Sequence, residues 1–107
     1  MSAPPLPAAF LAAGIAHRGL HDRGRGVIEN SRAAVAAAVA AGYGVEIDLQ
    51  LSADDEAMVF HDAALDRLTA ETGPVRARTA AELGAIPRRD GGETIPTLPA
   101  ILALLDA

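Results

Sequence analysis

The chain has no cysteine. Disulfides, thiolate nucleophiles and cysteine-held zinc or iron–sulfur centres are therefore excluded. It has no lysine either: all nine basic residues are arginine, against fourteen acidic ones, for a formal net charge of −5. There is no basic run, which argues against nucleic acid and against an anionic membrane surface. The missing lysine also removes a Walker-type phosphate loop, and no G-x-G-x-x-G follows a strand. Aromatic residues are only 3% of the chain, so a core must come from Leu, Ile, Val and Ala. No apolar run approaches the ~18 residues needed to span a bilayer. The stretch Ala8–Ala16 is apolar, but residues 1–7 carry no Lys or Arg, as a signal peptide would. These signals lead us to expect a soluble, cytoplasmic protein.

What remains is an α/β pattern. Gly14–Leu20 reads as a first strand ending at His17-Arg18-Gly19. Asn30 or Ser31 caps a helix over Arg32–Ala41, with Val35 and Val39 as its buried stripe and Gly42 as its stop. Residues 45–51 read as one strand. Ser52–Glu56 is a turn and Ala57–Asp62 a second strand-like run. A turn centred on Asp54-Asp55 sets Leu51 against Met58, Leu49 against Phe60 and Asp48 against His61. Residues 63–97 form a long connection, with a capping box at Thr79-x-x-Glu82 for a short helix near 80–85. Pro87–Pro96 reads as loop. Thr97 caps a last helix over Leu98–Asp106, whose apolar face is Leu98, Ile101, Leu102 and Leu105. Strand, helix, strand, hairpin insertion and helix make the start of a parallel α/β protein.

The residues with chemistry cluster at strand ends. Glu46 and Asp48 alternate along Val45–Leu51, so both project from one face of a strand. Two neighbouring carboxylates repel unless a proton or cation lies between them, and they suit a hard divalent metal. The plain alternative is the wet face of an amphipathic strand. His17 beside Arg18 suits a phosphate ester: the imidazole trades protons near neutral pH, and the guanidinium offers a planar fork of donors. His61, facing Asp48, is either a second proton-transfer group or a structural hydrogen-bonded pair. Two histidines with two carboxylates also resemble a zinc site. His21 reads as a solvated loop side chain, and Glu29-Asn30 as a helix-capping segment.

Taken in order, Ala16-His17-Arg18-Gly19, Glu29-Asn30-Ser31, Val45-Glu46-Ile47-Asp48-Leu49, Val59-Phe60-His61-Asp62, Leu65-Asp66-Arg67-Leu68-Thr69 and Ile95-Pro96-Thr97-Leu98 resemble the glycerophosphodiester phosphodiesterase family. The resemblance implies the N-terminal part of a single (β/α)8 TIM barrel spanning 1–107, with a small insertion at about 52–97. It implies hydrolysis of a glycerophosphodiester to glycerol 3-phosphate and an alcohol. His17 and His61 would be the acid/base pair, Arg18 the phosphate holder, Glu46 and Asp48 ligands of Mg²⁺ or Ca²⁺, and Glu29-Asn30 the edge of the site. A small-molecule substrate is the only partner implied. Two features depart from the family. The turn carries Asp54-Asp55 instead of Asp-Gly. A barrel of this kind needs about 250 residues, and the third metal carboxylate is expected on a strand beyond Ala107. A non-catalytic truncated barrel, a phosphate-binding module and a related phospholipase-type phosphodiesterase are the competing readings.

Overall fold

Ser31 begins the longest helix by a local mechanism. Its hydroxyl accepts the Ala34 amide at 3.0 Å, which satisfies one of the unpaired donors of the first turn. The helix, α1, runs Arg32–Ala40 in a computed structural model that describes residues 15–19, 21–22, 24, 26–89 and 92–105. Its first two amides, of Arg32 and Ala33, are taken by the two carboxylate oxygens of Glu93, sixty residues away. Negative charge there also complements the helix dipole. The helix ends in a Schellman motif: Gly42, at φ 80°, donates to Val39 O, and Tyr43 donates to Ala38 O.

α1 connects two parallel strands, β1 (Ile15–His17) and β2 (Gly44–Glu46), with His17 directly opposite Glu46. This is a β-α-β unit, the repeat of parallel α/β folds. Gly14 and Leu20, expected at the ends of β1, lie outside the described residues. Ala34, Val35 and Ala38 form the buried face of α1. Val39, expected to be buried, is 40% exposed. At 100° per residue, Val39 lies a further turn step round from Ala34 and Ala38, and the alanines take its place. Gly19 packs against that alanine face. A Cβ at Gly19 would lie 2.8 Å from Ala34 Cβ, and its φ is +79°, so only glycine fits there.

The strand expected over 45–51 is two strands. β2 stops at Glu46, and β3 (Leu49–Leu51) pairs antiparallel with β4 (Ala57–Val59) in a separate sheet. Between them the Asp48 amide is captured by Asn30 Oδ1, while the Asp48 carbonyl accepts the Phe60 amide. The chain therefore leaves one sheet for the other at Ile47-Asp48. The hairpin register also differs from expectation. Leu49 faces Val59, Gln50 faces Met58 and Leu51 faces Ala57, one residue away from the expected pairing. Ser52 and Glu56 close a three-residue loop, with Asp55 at φ 60° and the Ser52 hydroxyl accepting the Glu56 amide. An odd loop shifts every pair by one. Leu49 and Leu51 are consequently half exposed, at 48% and 47%, and Asp48 is not paired with His61.

β4 is buried on both sides. Met58 and Phe60 enter a core with Leu65, Leu68, Val75, Leu83, Ile86 and Ile95. Val59 points the other way, to Val35 and Ile101, as strand alternation requires. The first core fills the insertion. Its short helix α2 (Ala80–Leu83) has both halves of the expected Thr79–Glu82 capping box. In the stretch expected as loop, bridges join Thr69 to Arg88 and Pro87 to Thr94. The second core docks α3 (Leu98–Leu105) on α1. Thr97 Oγ1 caps α3 through the Ala100 amide. Leu98, Ile101 and Leu104 pack inward, whereas Leu102 and Leu105 are half exposed. Spacing of i, i+3, i+6 thus defines the packed stripe, in place of the expected one. Asp106 lies outside the described residues. Among the described residues no helix is long and apolar enough to cross a membrane.

Candidate active site

The site is assembled where β1 ends. Arg18 follows the strand with φ 58°, and Asn30 has φ 54°. Left-handed backbone is uncommon for arginine and tends to mark positions that the surroundings over-determine. The two are locked together: Asn30 N–H donates to Arg18 O at 2.8 Å. The Gly19 amide donates to Glu46 O at 3.2 Å, which ties the turn to β2.

The two acids of the split strand both reach this dipeptide. Glu46 Oε2 lies 3.0 Å from His17 Nε2, and His17 is widely exposed. Asp48 Oδ2 accepts Asn30 Nδ2 at 3.1 Å and lies 3.6 Å from Arg18 Nε. The latter is an ion-pair contact, too long for a hydrogen bond. His61 joins from the other side. Arg18 Nη2 donates to His61 Nε2 at 2.9 Å, and His61 Nδ1 lies 2.7 Å from Asp62 Oδ1. A guanidinium can only donate, so Nε2 carries the lone pair and Nδ1 carries the proton. In this arrangement the Nδ1 proton of His61 is directed at Asp62. Gln50 Nε2 holds the His61 carbonyl at 2.8 Å. His21 is exposed, as expected for a loop side chain.

Glu29, expected at the edge of the site, binds two arginines. It is largely buried and accepts Arg18 Nη1 at 3.0 Å, Arg67 Nη1 at 2.9 Å and Arg67 Nη2 at 3.1 Å. Burial pushes its carboxyl upward, but hydrogen bonds and charge from Arg67, then Arg18, outweigh this and hold it below the ordinary glutamate range. Asp62 is held down to about 2, chiefly by its hydrogen bonds from Arg67, against burial and with a further contribution from His61. The contacts close a ring: Arg18, Glu29, Arg67, Asp62, His61 and back to Arg18.

Sequence reasoning gave no role to Arg67, Asp62 or Arg88. The first two stand in motifs already singled out, which was the available signal. Arg88 had none. Its side chain is buried at 2% exposure and donates to Glu29 O at 3.0 Å, Asn30 O at 3.1 Å and Thr94 O at 3.3 Å. Burial pulls its guanidinium down to about 10. It fixes the turn from which the Glu29 and Asn30 side chains enter the site.

Among the described residues three buried side-chain atoms have no hydrogen-bond partner: the donor Arg88 Nε, behind the turn of Glu29 and Asn30, and, facing the site, the donor Arg18 Nε and the acceptor Glu46 Oε1. Leaving such groups unmade is costly. The opposite characters of the two facing the site suit an anion at Arg18 and a cation at Glu46. The residues present therefore fit a bound cation with an anionic oxygen beside it. Among the described residues no group of three or more His, Asp or Glu side chains gathers to hold a metal.

The chain matches the model of the glycerophosphoryl diester phosphodiesterase family over residues 17–106. It belongs to that family. A glycerophosphodiester phosphodiesterase of Caldanaerobacter subterraneus subsp. tengcongensis is 36% identical over 98 residues, covering 85% of this chain and 39% of that protein. Among solved structures, an Oleispira antarctica phosphodiesterase in complex with the product sn-glycerol-3-phosphate superposes with a TM-score of 0.77 at 34% identity, over 92% of this chain and 42% of that one. A glycerophosphodiester phosphodiesterase from Agrobacterium tumefaciens gives 0.73 at 34% identity, over 85% and 41%. The chain thus spans about two-fifths of the length of these relatives.

Proposed function

We propose that the protein carrying this chain hydrolyses glycerophosphodiesters to glycerol 3-phosphate and an alcohol. The observation that carries this reading is the pair of orphaned atoms, Arg18 Nε and Glu46 Oε1, beside two histidines. The glycerol-phosphate product bound to the Oleispira relative supports a substrate of the same class. Residues 1–107 would form the first part of a (β/α)8 barrel, with 52–97 inserted between the second strand and second helix. The β1-α1-β2 unit supports that topology.

In this reading Arg18 holds and orients the phosphate, its Nε finding the acceptor it lacks. Water attacks phosphorus and the bond to the alcohol oxygen breaks. One of His17 and His61 accepts the proton of the attacking water, and the other donates a proton to the leaving alkoxide. Asp62 stabilises His61 whenever the ring is charged. Glu46 and Asp48 would hold Mg²⁺ or Ca²⁺. Such a cation would supply charge neutralisation at the phosphoryl oxygens.

The test is turnover of glycerophosphocholine by the full-length protein, with and without EDTA. His17→Ala and His61→Ala should each lower kcat by roughly 10²- to 10⁴-fold without changing the unfolding midpoint much. Full activity in either variant sinks the assigned roles. Full activity in EDTA sinks the metal.

A further inference from the structure

Arg67 sits in none of the roles above, yet it makes more charged hydrogen bonds than any other side chain at the site. Nε and Nη2 donate to the two oxygens of Asp62, at 2.8 and 2.9 Å. Nη1 and Nη2 donate to the two oxygens of Glu29, at 2.9 and 3.1 Å. Both contacts are bidentate, which fixes direction as well as distance. Glu29 in turn holds Arg18, and Asp62 holds His61 Nδ1. The turn presenting Arg67 is anchored on both sides. Leu65 and Leu68 are buried in the insertion core, and Thr69 Oγ1 donates back to Leu65 O.

We propose that Arg67 is a positioning residue: by clamping Glu29 and Asp62 it sets the direction of Arg18 and the nitrogen on which His61 keeps its proton. The phosphodiester part of this inference rests on the function proposed above, whereas the geometric part does not. A purely stabilising role fits the observations less well. The Arg67 side chain is 43% exposed and takes no part in either apolar core, so what stability it gives comes through Glu29 and Asp62, whose directions it fixes. Its place is between two carboxylates, each of which has one other side-chain partner at the site. Without it, Asp62 loses its second anchor and either tautomer of His61 becomes accessible. The neutral ring with its proton on Nε2 cannot accept from Arg18.

The experiment uses the full-length protein labelled with ¹⁵N-histidine, as wild type, Arg67→Gln and Arg67→Lys. His61 is assigned by the loss of its signals in His61→Gln. Wild type should show His61 nitrogens of one fixed tautomer, with the proton on Nδ1. Arg67→Gln should show averaged nitrogens, kcat lower by about 10- to 100-fold, and KM changed by much less. Arg67→Lys keeps the charge and should recover part of both. It also stands in if Arg67→Gln fails to fold. Unchanged His61 nitrogens in the folded variant overturn the inference, whatever happens to turnover. If wild type hydrolyses no glycerophosphodiester, the proposed function fails, and the nitrogen signals still decide the role of Arg67.

Discussion

Asn30 grips Asp48 at both ends. Its Oδ1 accepts the Asp48 amide at 3.0 Å, and its Nδ2 donates to Asp48 Oδ2 at 3.1 Å. One amide side chain therefore fixes both the backbone where the chain leaves β2 and the direction of a carboxylate. No other side chain of this size offers a donor and an acceptor in that fork, and asparagine also tolerates the φ of 54° better than most residues.

Asn30→Asp replaces the donor with a second carboxylate facing Asp48. Asn30→Ala removes both bonds and leaves the part-buried Asp48 N–H without its acceptor. Each should destabilise by about 1–3 kcal/mol, read as a lower urea midpoint. Asn30→Ala should also weaken Mg²⁺ or Ca²⁺ binding to the full-length protein in calorimetry, because Asp48 loses its orientation. An unchanged affinity would separate Asp48 from the cation.

Acid should act first on the ring around Arg67. Asp62 is held at about 2 against 3.8 in the unfolded chain, and Glu29 is held below its ordinary 4.5. In that window the unfolded state binds more protons than the folded one, so stability rises with pH. The contribution of Asp62 is complete above 3.8 and is lost as pH falls towards 2. That of Glu29 begins to be lost below 4.5. Arg67→Gln should flatten the acid limb of a plot of unfolding free energy against pH. A limb of unchanged steepness would show that other carboxylates dominate it.

Local signals were legible and long-range ones were not. The Ser31 cap, the Gly42 stop and the Thr79–Glu82 box each act within a few residues, so the sequence reveals them directly. The hairpin was legible as a hairpin, but its register was not. Alternation of apolar residues favoured burying Leu49 and Leu51 with Met58 and Phe60. β4 instead finds apolar partners on both faces, in two different cores, which frees Leu49 and Leu51 to stay half exposed. A two-face strand carries no alternation from which to read a register. Glu46 and Asp48 do converge on His17 and Arg18, although they leave one strand for another sheet between them. Arg67 and Arg88 reach Glu29 across 38 and 59 positions; Arg67 stands in a motif the sequence singles out, whereas nothing in the neighbours of Arg88 announces its contacts.

Gly19 is the most closely packed of the described glycines. Gly19→Ala meets Ala34 Cβ at 2.8 Å and the Ala34 carbonyl carbon at 2.9 Å. It also places a Cβ on left-handed backbone, at a cost of about 1–2 kcal/mol. Overpacking adds about 1–3 kcal/mol. We expect a total near 2–5 kcal/mol and a loss of activity that follows from displacement of Arg18, its neighbour. Shortening the opposing residue with Ala34→Gly should recover part of the packing loss and none of the backbone loss. Full stability in Gly19→Ala would mean that α1 can move away from β1 freely.

Arg88 offers a different kind of test, because it is a buried cation whose hydrogen bonds go to carbonyls. Arg88→Met fills much of the same volume but leaves Glu29 O, Asn30 O and Thr94 O without this donor. Each buried acceptor left unmade costs about 1–3 kcal/mol, so the variant should lose roughly 2–5 kcal/mol even though a charge has been taken out of the interior. Arg88→Lys keeps the charge and loses the fork that spans two successive carbonyls, so it should fall between the two. Because the contacts are buried, the loss should be nearly the same in 0.05 and 0.5 M NaCl, whereas exposed pairs such as Arg76–Asp55 are screened. A stability loss that fades with salt would assign Arg88 to surface electrostatics, and no loss at all would mean that water replaces its guanidinium at the turn of Glu29 and Asn30.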